Sequence, residues 1–182
     1  MLTVNFSPFP LLETARLQLR CISEKDAAEM FFLKSNKEVL KYLDRDAFVS
    51  KTEALTFIKL ILSKLQNNES VSWAITYKDS GKMIGTIEYW RFIKEHFRAE
   101  VGYMLHPDEW GKGIMKEALG KVIQYAFKEI GLHSIEANIN PGNAASAALL
   151  ESKGFVKEAY FRENYYHSGN FTDSVIYSLV NF

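Results

Sequence analysis

Two long alternating runs, MIGTIEYWRFI (Met83 to Ile93) and FRAEVGYML (Phe97 to Leu105), have only Lys94-Glu95-His96 between them. Alternation at period two marks both as strands. So short a connection joins antiparallel neighbours, because parallel neighbours need a crossover of about a dozen residues or more. A sheet containing this pair is not the all-parallel, doubly wound kind. The end of the chain repeats the constraint: FVKEAYFRE and TDSVIYSLV read as strands joined by a turn around Ser168-Gly169-Asn170.

The remaining elements fill in around these pairs. RLQLRCI, Arg16 to Ile22, alternates as a first strand. Ser23, with Asp26 three residues on, caps a helix from about Glu24 to Ser35. Ser50 or Thr52 caps a second helix, TEALTFIKLILSKLQ, with Leu55, Ile58, Ile61, Leu62 and Leu65 at helical spacing. SVSWAITY is a strand and KDSGK a turn. A helix follows Gly113 to about Ile130, then SIEANI is a strand, and NAASAALLESKG is a short helix closed by Gly154. The expected fold is α+β: a mixed, mostly antiparallel sheet of about seven strands with about four helices.

A chain of 182 residues suits one domain, 1–182, with a sizeable core. Lys plus Arg equals Asp plus Glu at 22 each, which argues against nucleic acid as a partner. Cys21 is the only cysteine, and His96, His106, His133 and His167 lack metal-ligand spacing, so no metal is expected. The start, MLTVNFSPFPLLETARL, lacks the basic region and apolar run of a signal peptide. No apolar run spans a membrane, so no membrane partner and a cytoplasmic location are expected.

Two motifs carry chemistry. In HPDEWGKGIMKEALGK, Gly111 and Gly113 sit where a strand ends and a long amphipathic helix begins. Glycine there permits a sharp bend or a close approach. The helix start offers free N–H donors and the positive end of a dipole, a cradle for phosphate. The dinucleotide fingerprint fails because Lys116 stands where its third glycine belongs, and the Walker loop fails because Gly113 follows Gly111-Lys112. Alone, the turn fits a plain loop-to-helix junction as well as an anion site. The second motif, NPGNAASAALLESKGF, has Asn143 at a helix start and Ser146 one turn later. Both residues also fit an ordinary capping role.

Together the motifs resemble the GNAT superfamily of acetyl-CoA-dependent N-acetyltransferases, and within it the RimJ/RimL-like branch that acetylates ribosomal-protein N-termini. Trp110-Gly111-Lys112-Gly113-Ile114-Met115 matches the family's cradle at its central glycine, Gly113. Trp110 and Met115 depart from the wider pattern, as they do in that branch. LETARLQLR, AEVGYML, NxxSxxxxxxxGF and HSGNFTDSVIYSL are similar to its other segments, in the same order.

The resemblance implies the GNAT fold, with a splayed central strand pair, and acetyl-CoA as co-substrate. Tyr103, Met104 and Leu105 would pair with the pantetheine. Trp110, Gly111, Lys112, Gly113, Ile114, Met115 and Lys116 would hold the pyrophosphate, with Asn138 and Asn143 further cofactor contacts. Glu100, in the strand before the cradle, is the first choice for the base that frees the amine. A base in the closing segment is the rival, where the matching position is Tyr165 and Glu163 is nearby; Glu88 and Glu136 are weaker candidates. The tyrosine acid of many relatives is replaced by Leu150, so Ser146 is the candidate acid. Cys21 lies in a strand with no nearby base, which favours direct transfer in a ternary complex. The acceptor is an amine, either a peptide or protein N-terminus or a small molecule, and the protein is a monomer or homodimer. A non-catalytic acyl-CoA-binding module shares every cradle feature and stays open at this point.

Overall fold

The computed structural model describes residues 1–181. In chain order the elements are β1 (Leu12–Glu13), β2 (Leu17–Cys21), α1 (Ala27–Ser35), α2 (Lys37–Leu40), α3 (Lys51–Gln66), β3 (Val71–Tyr77), β4 (Met83–Ile93), β5 (Arg98–Leu105), α4 (Ile114–Tyr125), β6 (Ser134–Ile139), α5 (Ala144–Glu151), β7 (Val156–His167) and β8 (Asn170–Val180). One sheet of eight strands runs β1-β2-β3-β4-β5-β6-β8-β7. Every neighbouring pair is antiparallel except β5 and β6. The expected mixed sheet is present. The eighth strand is β1, and the additional helix is α2, whose N–H groups at Glu38 and Val39 are capped by the Asn36 side chain.

The β3 strand shows how the layers form. Val71, Trp73 and Ile75 point into a core shared with α4 through Ile114, Ala118, Leu119 and Val122. Ala74 points the other way, into a second core with Met30, Leu33, Ile58 and Ile61 of α1 and α3. Because both faces are covered, β3 is buried almost throughout. Trp73 anchors the larger core, meeting Tyr89 and Tyr125 edge-on at 6.2 and 5.7 Å. Its indole N–H donates to the Pro10 carbonyl at 2.7 Å, so no buried donor is lost. Among the described residues no helix is long and apolar enough to cross a membrane.

The first helix begins with a helical turn at Glu24–Asp26, and the Ser23 N–H donates to the Asp26 carboxylate as the sequence pattern required. Arg20 grips that carboxylate at 2.6 and 2.9 Å. The long helix that follows Gly113 ends in a wider turn, Ala126–Ile130, closed by left-handed Gly131. β7 and β8 are longer than their sequence pattern indicated and meet at Ser168-Gly169.

One polar clamp fastens the start of α4 to the sheet. Glu117 accepts from the Thr14 hydroxyl at 2.5 Å, the Arg16 N–H at 3.0 Å and the Arg16 Nε at 2.7 Å. The same Arg16 donates to the Lys112 carbonyl at 3.1 Å. Replacing Glu117 with Ala strands these donors together. The expected cost is about 1–2 kcal/mol, because the pair is partly exposed. Urea unfolding of Glu117→Ala beside the wild type checks it, and coincident midpoints would mean that the clamp adds nothing to stability.

Candidate active site

β5 and β6 are in register only from Arg98↔Ser134 to Glu100↔Glu136. Beyond that rung β5 stays with β4 as far as Leu105, while β6 stays with β8 as far as Ile139. From Val101 onward the edge of β5 that faces β6 has no strand partner. Two cavities open from this split, one of about 720 Å³ and one of about 120 Å³.

The larger cavity is a groove leading to the glycine turn. Tyr103, Met104, Leu105, Trp110, Gly111, Gly113, Ile114, Met115, Lys116, Asn143 and Ser146 all line it. Gly111 and Gly113 both have φ of 73°, a left-handed conformation that a side chain disfavours. Gly113 caps α4, whose first N–H groups have no partner within the helix. The Trp110 indole donates to the Leu105 carbonyl at 3.0 Å and so pins the turn to the end of β5. Lys112 is the exception among the cradle candidates. It does not line the groove, and its ammonium group pairs with Glu109 at 3.1 Å.

The smaller cavity adjoins the groove, and Glu100 forms part of its wall. Sheet register builds this wall: Thr86, Glu88 and Trp90 of β4 lie opposite Met104, Gly102 and Glu100 of β5. α1 contributes Lys34, and the segment after α2 contributes Tyr42, Leu43 and Arg45. Asn138 lies here, not along the groove, and its amide donates to the Tyr165 hydroxyl at 3.1 Å.

Glu100 is 8 % exposed. Burial pushes its pKa up to about 6, against the pull of Arg91, whose Nη1 lies 3.1 Å from Oε2; Glu136 pushes it further up. Arg91 sits at a bulge with φ of 47° and stacks on Trp90 at 4.2 Å. Its role was not legible in the sequence, because only the break in register between Trp90 and Ile93 turns it toward Glu100. The rival base is elsewhere. Glu163 is exposed, lines neither cavity, and occupies a left-handed bulge of β7. Glu136 pairs with Arg98 at 3.5 Å, and Glu88 accepts from the Ser72 hydroxyl at 2.9 Å.

Tyr103, Met104, Asn143 and Ser146 line both cavities. Asn143 does cap α5, accepting from the Ser146 N–H at 3.0 Å. The cap orients Ser146 and leaves its hydroxyl available. Beside it lies the Tyr103 hydroxyl, sealed from solvent and without a well-aligned hydrogen bond. Burial pushes the Tyr103 pKa up to about 12, so this hydroxyl stays protonated at neutral pH. The arrangement is a groove with the left-handed glycines and the start of α4 on its wall, Tyr103 and Ser146 shared with an adjoining pocket, and the buried Glu100 in that pocket.

Known proteins share this architecture. Residues 16–156 match the acetyltransferase (GNAT) domain family. The uncharacterized N-acetyltransferase YoaA of Bacillus subtilis (strain 168) is 37% identical over 172 residues, covering 94% of this chain and 97% of that one. The [ribosomal protein uS5]-alanine N-acetyltransferase of Escherichia coli (strain K12) is 28% identical over 176 residues, covering 93% and 90%. The microcin C7 self-immunity acetyltransferase MccE, solved in complex with acetyl-CoA and AMP, superposes with a TM-score of 0.82 at 25% identity, covering 92% of this chain and 94% of that one. The chain belongs to the GNAT family and is an acetyl-CoA-dependent N-acetyltransferase.

Proposed function

We propose that residues 1–182 act as one cytoplasmic catalytic domain that moves the acetyl group of acetyl-CoA directly to a primary amine. The acceptor class is a peptide or protein N-terminus, as the name of the uS5-alanine relative suggests, or a small amine. The observation that carries the reading is the shared boundary. Tyr103 and Ser146 line both the groove and the pocket that holds Glu100.

The groove suits acetyl-CoA. The open edge of β5 offers backbone groups to the pantetheine amides, and the left-handed glycines with the free N–H groups of α4 suit the pyrophosphate. Acetyl-CoA supplies an activated thioester. In the adjoining pocket Glu100 takes a proton from the ammonium group, directly or through water. The freed nitrogen forms the new N–C bond as the C–S bond breaks. Ser146 gives its hydroxyl hydrogen to the departing sulfur and takes up in its place the second proton that the nitrogen sheds on becoming an amide, so that the free thiol leaves and the hydroxyl is restored. Cys21 has no part in this scheme: burial pushes its thiol pKa up, and it lines neither the groove nor the Glu100 pocket.

Gly113→Glu places bulk and negative charge in the phosphate cradle. Acetyl-CoA affinity by calorimetry is expected to fall at least tenfold, on the order of 1.4 kcal/mol, with the circular dichroism spectrum retained. Full affinity in a folded variant would remove the cradle assignment.

Ser146→Ala tests the acid. The cap is made by the Asn143 side chain and the Ser146 backbone, so it survives the substitution. Lost transition-state bonding lowers kcat while the Kd for acetyl-CoA holds. A wild-type kcat would reduce Ser146 to a packing residue.

Glu100→Gln keeps the shape and removes the base, with an expected loss of ~10²–10⁴-fold in rate. In the wild type, kcat/KM should fall as pH drops through about 6, where Glu100 takes up its proton. Stability moves in the opposite sense. A carboxyl whose folded pKa is raised favours the fold below its unfolded value, and that contribution is lost as pH rises through the folded one. Glu100→Gln is therefore expected to be more stable than the wild type at pH 8, by on the order of 1–2 kcal/mol, with the gain gone at pH 4. If Glu100→Gln keeps wild-type kcat and Glu163→Gln loses it, the base belongs to the closing hairpin.

A further inference from the structure

The pocket beside Glu100 contains a cation that acetyl transfer to a simple amine does not use. Lys34 is only 5 % exposed, yet it lines this pocket. Among the described residues no carboxylate lies within ion-pairing distance of its ammonium group, and no hydrogen bond engages it. Its contact is with the face of Phe57, 4.6 Å from the ring centroid. A buried, unpaired lysine is costly, and burial together with nearby Arg45 lowers its pKa to about 8, against the opposing pull of Glu88.

Arg45 lines the same pocket from the segment after α2 and forms no ion pair among the described residues. That segment is held in place. The Phe48 N–H donates to the Lys34 carbonyl at 2.9 Å, and Asp46 lies 3.2 Å from His167 of β7. The opposite wall carries Glu88 and Glu100 on the sheet. A cavity of about 120 Å³ thus has two cations on its helical side and two carboxylates on its sheet side.

From this polarity we infer that the acceptor is a small amine that also carries an anionic group, a carboxylate or a phosphate, recognised by Lys34 and Arg45 while its amine faces Glu100. The inference rests on the proposed transferase reading and narrows it. A neutral amine would leave Lys34 buried without a counter-charge. A polyamine would bring further positive charge against it. An anionic amine satisfies both walls at once, and the anion fixes which end of the molecule meets the base. Arg45 suits the outer position, because its planar fork pairs with carboxylate or phosphate while remaining partly in water.

The test is acceptor selectivity, read as CoA release. The panel sets free amino acids beside their methyl esters, phosphoethanolamine beside ethanolamine, and adds spermidine. The wild-type enzyme is expected to use the anionic member of a pair at least about tenfold better in kcat/KM, the scale of one charge-assisted contact. The preferred pair tells carboxylate from phosphate. Lys34→Met, close in volume, should reduce the anionic-to-neutral ratio about tenfold, and Arg45→Gln should reduce it less. Because the ratio is taken within one variant, a general loss of folding or activity does not produce it. Arg45→Gln, at an exposed position, carries the test if Lys34→Met does not fold. Equal use of neutral partners, a preference for spermidine, or a ratio unchanged in both variants overturns the inference and leaves the transferase standing. No turnover with any amine of this panel overturns the inference; no turnover with peptides bearing free N-termini either, despite acetyl-CoA binding by calorimetry, overturns both.

Discussion

The separation of β5 from β6 after the Glu100↔Glu136 rung is the feature on which the rest of the molecule depends. Each strand is committed to a different antiparallel neighbour, β5 to β4 and β6 to β8, along nearly its whole length. Sheets twist, and two half-sheets joined by only a few rungs diverge as the twist accumulates. An unpaired strand edge inside a protein is ordinarily a liability, because its N–H and C=O groups need partners. Here the edge opens onto a groove that ends at the glycine turn, so the unmet hydrogen bonds and the proposed acetyl-CoA site coincide.

Glu100 occupies the last rung before the split, which gives it contradictory surroundings. It is deep enough for burial to raise its pKa, and the Glu136 charge pushes the same way. It is also at the edge of a cavity, where it can reach a substrate. Arg91 keeps the balance from tipping toward a permanently neutral acid, since it pulls the pKa down from 3.1 Å away. The result near 6 is ionised at neutral pH yet still basic enough to accept a proton from an amine. An exposed strand glutamate would be a weaker base, and a fully buried, unpaired one would be protonated.

Sequence reasoning located what is periodic or local and missed what is tertiary. The bounds of β4 and β6 coincide with MIGTIEYWRFI and SIEANI, because alternating side chains there face a core on one side. The Asn143 cap and the left-handed glycines also follow from short-range chemistry. α2, at four residues, is too short to show a helical period. β7 ran past its expected end at Glu163 because the strand is largely exposed and carries a bulge there, so alternation fades. Lys34 reads as an ordinary helix lysine; its burial exists only because Phe57 of α3 and the segment bearing Arg45 close over it. Arg91 reads as one residue of a strand, and only the bulge turns it toward Glu100. Asn138, expected to contact the cofactor, lines the Glu100 pocket and not the groove, a placement set by the divergence of β6 from β5.

The division of labour along β5 shows why the chemistry and the core cannot be altered independently. Ala99, Val101 and Leu105 belong to the core shared with α4. Glu100, Gly102 and Met104, on the alternate positions, line the pocket, whose wall Val101 and Tyr103 also reach. A slip of one residue would exchange the two faces and send a carboxylate into the apolar core. The burial of Ala99, Val101 and Leu105 is therefore what holds Glu100 on the pocket side. Glycine at 102 completes the arrangement. A Cβ there would lie 3.6 Å from Glu88 and 3.7 Å from Trp90, an ordinary contact, so the fold itself would tolerate alanine. Larger side chains would instead enter a cavity of only about 120 Å³. The small residue at this position is thus better explained by the open space of the pocket, where the proposed acceptor would sit, than by any demand of the sheet.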